Sequence, residues 1–229
     1  MGLTCGRSSR DGARLAGALL WCLCFQFFVA ERIAANAWSV PYDWSRNFIS
    51  DLGAVDCAER VGDPARYVCS PLNGLMNASF VVQGLLIAAG ATLLRGAFPG
   101  GRLGGAGLWL VGNSGPSLIA VGLAPEDANA RVHFAGAAVH LVCGGLEMVL
   151  LGVALLLRRH RPGTVPLSAA GILTAAAGAV GLTGTALLTG NLLGRGAGGM
   201  ERIGGYPLPL WLTAAGLLLL VSTQRRPDR

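Results

Sequence analysis

Apolar and polar positions alternate along this chain on the scale of whole helices. Six apolar runs reach bilayer-spanning length: Arg14 to Ala30, Asn73 to Leu94, Leu103 to Leu123, Val132 to Leu157, Val165 to Thr189 and Tyr206 to Val221. The pattern predicts an all-α polytopic membrane protein, one six-helix bundle over residues 1–229. Residues 36–72 form a connector between the first two helices long enough to be ordered and to have a task. The fourth run is the most unusual, because it carries His133, His140 and Glu147 into apolar surroundings. At a spacing of seven they fall about 20° short of two full turns, so all three share one stripe of a helix. Ionisable groups inside a span are costly and face a bundle interior or a watery cavity.

Composition agrees with lipid as the solvent. Hydrophobic residues make up 52% and charged ones 13%, against roughly 25% charged in soluble domains. The 35 glycines suit close helix approach. The net charge of +6 comes from arginines scattered between apolar runs rather than gathered on one face, which excludes a nucleic-acid surface. The arginines instead report topology. The N-terminus, second and fourth loops and C-terminus hold eleven arginines against two aspartates, a balance of +9. The odd-numbered loops hold seven arginines against nine acids, a balance of −2. The expectation is a bacterial plasma membrane with both termini cytoplasmic and the 36–72 loop outside. A rival reading makes the first run a signal peptide cleaved near Ala35-Asn36-Ala37, but Glu31 and Arg32 separate the apolar run from that site.

The first loop contains Cys57 and Cys69, the cysteines this topology places outside. An oxidising exterior predicts a disulfide between them. Upstream, Asp43 to Gly53 reads as a short helix capped by Asp43 and Gly53, with Trp44, Phe48 and Leu52 on one face. Asp51 either points to that apolar face, where it needs a cation or several backbone donors, or turns away to serve a local turn. Gly101 with Gly105, and the row Ala177, Gly181, Thr185 and Thr189, are small-residue packing signals that admit a homo-oligomer.

Asn47-Phe-Ile-Ser-Asp-Leu-Gly53, Cys69-Ser-Pro-Leu-Asn-Gly-Leu-Met-Asn77, Pro125-Glu-Asp-Ala-Asn129 before His133, and Gly199-Met-Glu-Arg202 with Tyr206-Pro207 form an ordered set of polar motifs. In these the chain resembles the bacterial membrane family catalogued as domain of unknown function 998. The resemblance implies six spans and brings no activity, so no catalytic residue is carried over. Asn73 departs from the family pattern, where histidine is common.

All four motifs map to the outer side. They supply the candidate ligand-binding set Asp51, Glu126, Asp127, Asn129, His133, Glu201, Arg202 and Tyr206. The expectation is an outward-facing polar pocket roofed by the first loop, in which Arg202 pairs with Asp51 or with an anionic group of a ligand. The plainer alternative is a satisfied polar collar that fixes loop geometry. No metal site or cofactor is expected: His133 and His140 stand about 10 Å apart along the helix axis and cannot meet one ion. The leading function is a membrane protein binding a lipid headgroup, a small polar ligand or a partner protein. Against it stand a lipid-modifying hydrolase using His133 with neighbouring acids, and a proton-linked permease using His140 and Glu147.

Overall fold

A computed structural model describes residues 5–60, 65–158, 167–188 and 196–224. His160, Thr189 and arginines 159, 161, 195, 225, 226 and 229 lie outside them. Among the described residues the elements are helices α1 (Cys5–Cys22) and α2 (Gln26–Asn36), strands β1 (Ala58–Arg60) and β2 (Arg66–Val68), then α3 (Asn73–Leu94), α4 (Gly101–Leu123), α5 (Ala130–Leu156), α6 (Leu167–Leu187), α7 (Gly196–Gly205) and α8 (Pro207–Gln224). Six stretches are long and apolar enough to cross a membrane: Asp11–Asn36, Asn73–Ala97, Gly101–Leu123, Ala130–Leu156, Ala169–Leu187 and Gly196–Ser222.

Two of these differ from the hydropathy reading, both because a charged residue sits on a helix. The first continues past Ala30 to Asn36, carrying Glu31 into the bundle at 2% exposure. The last begins at Gly196 rather than Tyr206, so Glu201 and Arg202 stand on α7 and not in a loop. Both spans are also irregular. One 3-10 turn, Leu23–Phe25, joins α1 to α2, and a bend at Tyr206 separates α7 from α8. Pro207 opens α8, where its missing N–H needs no partner.

The spans close into a ring. α3 packs on α4, α4 on α5 and α5 on α6, while α7 joins α6 to α8 and α1 bridges α8 and α3. Glycine permits the closest crossings. A Cβ on Gly84 would lie 2.4 Å from the Gly115 carbonyl, and one on Gly178 would lie 2.6 Å from that of Gly145. The Gly101 and Gly105 pair flagged from sequence meets nothing within 4 Å, so it is not one of these crossings. From the predicted row, Gly181 faces Gly204 and Pro207, and Thr185 also meets Gly204. Leu173, Leu218 and Trp109 are exposed on the rim of the ring, as expected of side chains facing lipid.

Residues 37–60 and 65–72 fold over one end of the ring as a cap. Its predicted Asp43–Gly53 helix is instead a turn over residues 44–47 followed by a 3-10 turn, Ser50–Gly53. Asp43 Oδ1 accepts from Ser45 N (2.9 Å), Ser45 Oγ (2.7 Å) and Arg46 N (3.3 Å). These local bonds favour a turn over helix propagation and hold the Asp43 carboxyl below its usual range, the Ser45 hydroxyl contributing most. Next come β1 and β2, paired antiparallel with Ala58 opposite Val68 and Arg60 opposite Arg66. The Cys57–Cys69 disulfide closes this hairpin at its base.

Candidate functional site

Two arginines fasten the cap. Arg66 of β2 meets Asp51 with two parallel bonds, Nε to Oδ2 and Nη2 to Oδ1, each 2.7 Å. Asp51 is fully buried and also accepts from Phe48 N (2.8 Å) and Asn47 Nδ2 (3.2 Å). The Arg66 guanidinium lies 4.3 Å from the centre of the Phe48 ring. Burial alone would lower the Arg66 pKa, and the Asp51 carboxylate more than reverses that. Of the two sequence readings of Asp51, the buried, cation-paired one is what the cap contains.

The second arginine closes the cap from below. Arg202 of α7 donates through Nη1 to the Trp44, Asn47 and Gly198 carbonyls at 2.9 to 3.0 Å, and through Nη2 to the Tyr42 hydroxyl at 2.5 Å. Its Nε reaches the Tyr206 hydroxyl at 3.1 Å, and Glu31 Oε1 lies 3.1 Å from Nη2. Tyr206 in turn donates to the Glu31 carboxylate at 2.8 to 2.9 Å. Arg202 therefore pairs with Glu31, rather than with Asp51 or a ligand's anionic group, the two partners expected, and its fork is fully engaged within the protein. Tyr42, whose hydroxyl donates to the Phe48 carbonyl at 2.6 Å, has its pKa pushed up by burial.

The third anchor is Asp127, between α4 and α5. Its carboxylate accepts from Val55 N (3.1 Å), Asp56 N (2.8 Å) and Arg60 Nη2 (2.9 Å). Burial pulls its pKa up, but those donors outweigh it and hold the carboxyl below the usual range. Arg60 and Arg66 are direct cross-strand neighbours of like charge. Each is answered by a carboxylate from a different part of the chain, which removes the penalty such a pair carries. Beside Asp127, Glu126 accepts from Ser50 Oγ at 2.8 Å. Burial, with the nearby Asp51 carboxylate adding, pushes Glu126 up to about 7 against the Ser50 hydrogen bond. Asn129 has a local task, capping α5 through Val132 N (3.3 Å).

The disulfide matters because it fixes the hairpin whose two strands deliver Arg60 and Arg66. Its closed loop of about a dozen residues contributes roughly 3 kcal/mol in the chain-entropy model. Reduction, or Cys69→Ser, is expected to raise the rate of protease cleavage within residues 37–72 while the spans stay intact. An unchanged cleavage rate after reduction would mean that the arginine pairs hold the hairpin unaided.

Under the cap, in the middle of the ring, lies a cavity of about 60 Å³. Phe27, Phe80, Leu118 and Val121 form apolar walls, and Ser50, Gln83, His133, His140 and Glu201 bring polar groups. The Glu201 carboxylate accepts from Ile49 N of the cap. His133 Nδ1 is 2.9 Å from the Ala124 carbonyl. A carbonyl only accepts, so Nδ1 carries the hydrogen and a neutral ring keeps its lone pair on Nε2. His140 Nδ1 lies 3.1 Å from the Ser114 carbonyl and 3.0 Å from its hydroxyl. Gln83 Oε1 accepts from Gln26 (3.1 Å), while Gln83 Nε2 is buried without a hydrogen-bond partner.

The eight candidates thus divide. Asp51, Asp127 and Arg202 are bound into cap contacts, Tyr206 into the Arg202–Glu31 pair beneath them, Asn129 into a helix start, and Glu126 at the cap's edge. His133 and Glu201 line the cavity. The sequence reading missed Arg66, Tyr42 and Glu31. Glu31 had a visible signal, since it shares a helical stripe with Phe27, Ala30 and Ala34. Arg66 and Tyr42 had none, because their partners depend on how the loop folds.

Six closely crossed apolar spans under a bonded polar cap define a multi-pass membrane protein. The chain belongs to the family described as Protein of unknown function (DUF998), whose model matches residues 15–218. No curated protein and no solved structure matches it.

Proposed function

We propose that this protein binds a small polar ligand in the cavity under its cap, in a bacterial plasma membrane with the cap facing outward. What carries the reading is convergence. Polar groups from the cap, α3, α5 and α7 meet in one apolar-walled space at the centre of the ring. A largely apolar pocket with a few convergent polar groups is the arrangement that binds and orients small ligands. The volume of about 60 Å³ holds only a few water-sized groups, which suits a compact polar molecule better than a whole lipid headgroup. The outward orientation is supported by the arginine asymmetry and by a disulfide in the cap.

Ala137 lines the cavity and makes none of its polar contacts. Ala137→Trp is therefore expected to fill the space while leaving the cap anchored. Organic extracts of the purified wild-type protein should contain a small molecule by mass spectrometry that is missing from the variant. Identical extracts from two equally well-folded proteins would reject the reading.

A further inference from the structure

Glu147 of α5 is a carboxyl group for which neither the cap nor the cavity accounts. It is fully buried, and neither carboxylate oxygen has a hydrogen-bond partner. Polar side chains elsewhere on the spans have other partners: Ser114 meets His140, Gln83 Oε1 accepts from Gln26, and Asn113 donates to the Trp109 carbonyl. Among the described residues no ion pair includes it, and Cys143 stands one turn earlier on α5. Position 147 stands about 25 Å along α5 from the cap end and about 14 Å from the other, so it lies within the hydrocarbon layer. An isolated carboxylate there lacks everything that makes a charge tolerable in lipid: a counter-ion, hydrogen-bond donors or bulk water. A metal ion would need several further oxygen ligands, and among the described residues no group of three or more acids, histidines or cysteines is placed to hold one. A proton needs none.

We propose that Glu147 is a proton-binding site inside the membrane, loaded from the cap end through the cavity by way of His140. This goes beyond ligand binding and shares only the cavity with it. His140 sits two turns before Glu147 on the same stripe of α5, lines the cavity and has Nδ1 fixed by Ser114. A proton from bulk water enters the cavity, is taken by the His140 ring at Nε2 and is passed to a Glu147 carboxylate oxygen. It leaves by the reverse path, and nothing is oxidised or reduced. The gap of about 10 Å between the two groups exceeds one hydrogen bond, so the last transfer requires water to enter between these two turns of α5.

The test uses the intact protein in lipid vesicles. Dicyclohexylcarbodiimide, an apolar reagent for protonated carboxyl groups, should label wild-type protein on the peptide carrying Glu147, and less so as the pH is raised. Infrared spectra should contain a carboxylic C=O band that Glu147→Gln removes and that shifts in D2O. Ala137→Trp should slow that shift roughly tenfold by blocking the cavity route. Absence of both the label and the band in wild-type protein would show an ionised, paired carboxylate and overturn the site, with no variant required. An equally fast D2O shift in Ala137→Trp would overturn the loading route. Neither result bears on whether a small molecule co-purifies, so this proposal and the ligand reading fail separately.

Discussion

Arg202→Met is expected to release the cap. The substitution keeps a long apolar stem but leaves Glu31 buried opposite no cation and withdraws donors from the Trp44 and Asn47 carbonyls and the Tyr42 hydroxyl. Breaking a buried pair by removing one partner costs about 3 to 5 kcal/mol, enough to detach a small cap from a bundle held mainly by helix crossings. The measurement is hydrogen exchange across residues 37–72, which should lose protection while α3 to α6 keep theirs. Arg202→Lys should behave nearly as badly, because one ammonium cannot replace a planar fork aimed at several segments at once. A double variant, Arg202→Met with Glu31→Gln, should recover part of the loss by removing the stranded carboxylate. Native-like protection in Arg202→Met would mean the hairpin and Asp127 hold the cap without α7.

The cap should also loosen as pH rises through neutrality. Glu126 ordinarily has a pKa near 4.5 and is pushed up to about 7, by burial first and by Asp51 second. A carboxyl whose pKa is raised on folding favours the folded state while neutral. That contribution is complete below 4.5 and is lost as pH climbs through about 7. The loss amounts to up to about 3 kcal/mol in cap stability. Asp127 works the other way, since its lowered pKa means its contribution is lost only in acid. Melting followed between mildly acidic and mildly alkaline pH should show falling stability in the wild type and a shallower fall in Glu126→Gln. An equally steep slope in Glu126→Gln would place the titrating group elsewhere.

Both predictions concern pairings that could not be read along the chain. The need for a partner was legible as one of two readings: Asp51 either faced an apolar side and called for a cation or backbone donors, or turned away into a local turn. Which cation was not, because Arg66 is fifteen residues away and arrives only when the hairpin folds back. The same holds for Arg202. Its charge suggested a loop, and a loop arginine was free to seek Asp51 or a ligand. Placed on α7 inside the bundle, it meets Glu31 on α2 and the carbonyls of the cap's turn. The short Asp43–Gly53 helix failed for a local reason, since the Asp43 side chain bonds the next backbone N–H groups and diverts the chain into a turn.

What the sequence determined by itself was the number of spans, the long ordered connector, its cysteine pair and the stripe bearing His133, His140 and Glu147. Hydropathy, helical period and chain spacing are properties of neighbouring residues, and lipid enforces them by leaving backbone groups no partner outside the helix. Only the tertiary structure decided which acid meets which arginine, that most of the polar motifs are spent on fastening a cap, and that a cavity opens beneath it. Those outcomes depend on contacts between segments up to about 175 residues apart. Several partners at each charge would satisfy the same local chemistry, and the geometry of the closed ring selects among them.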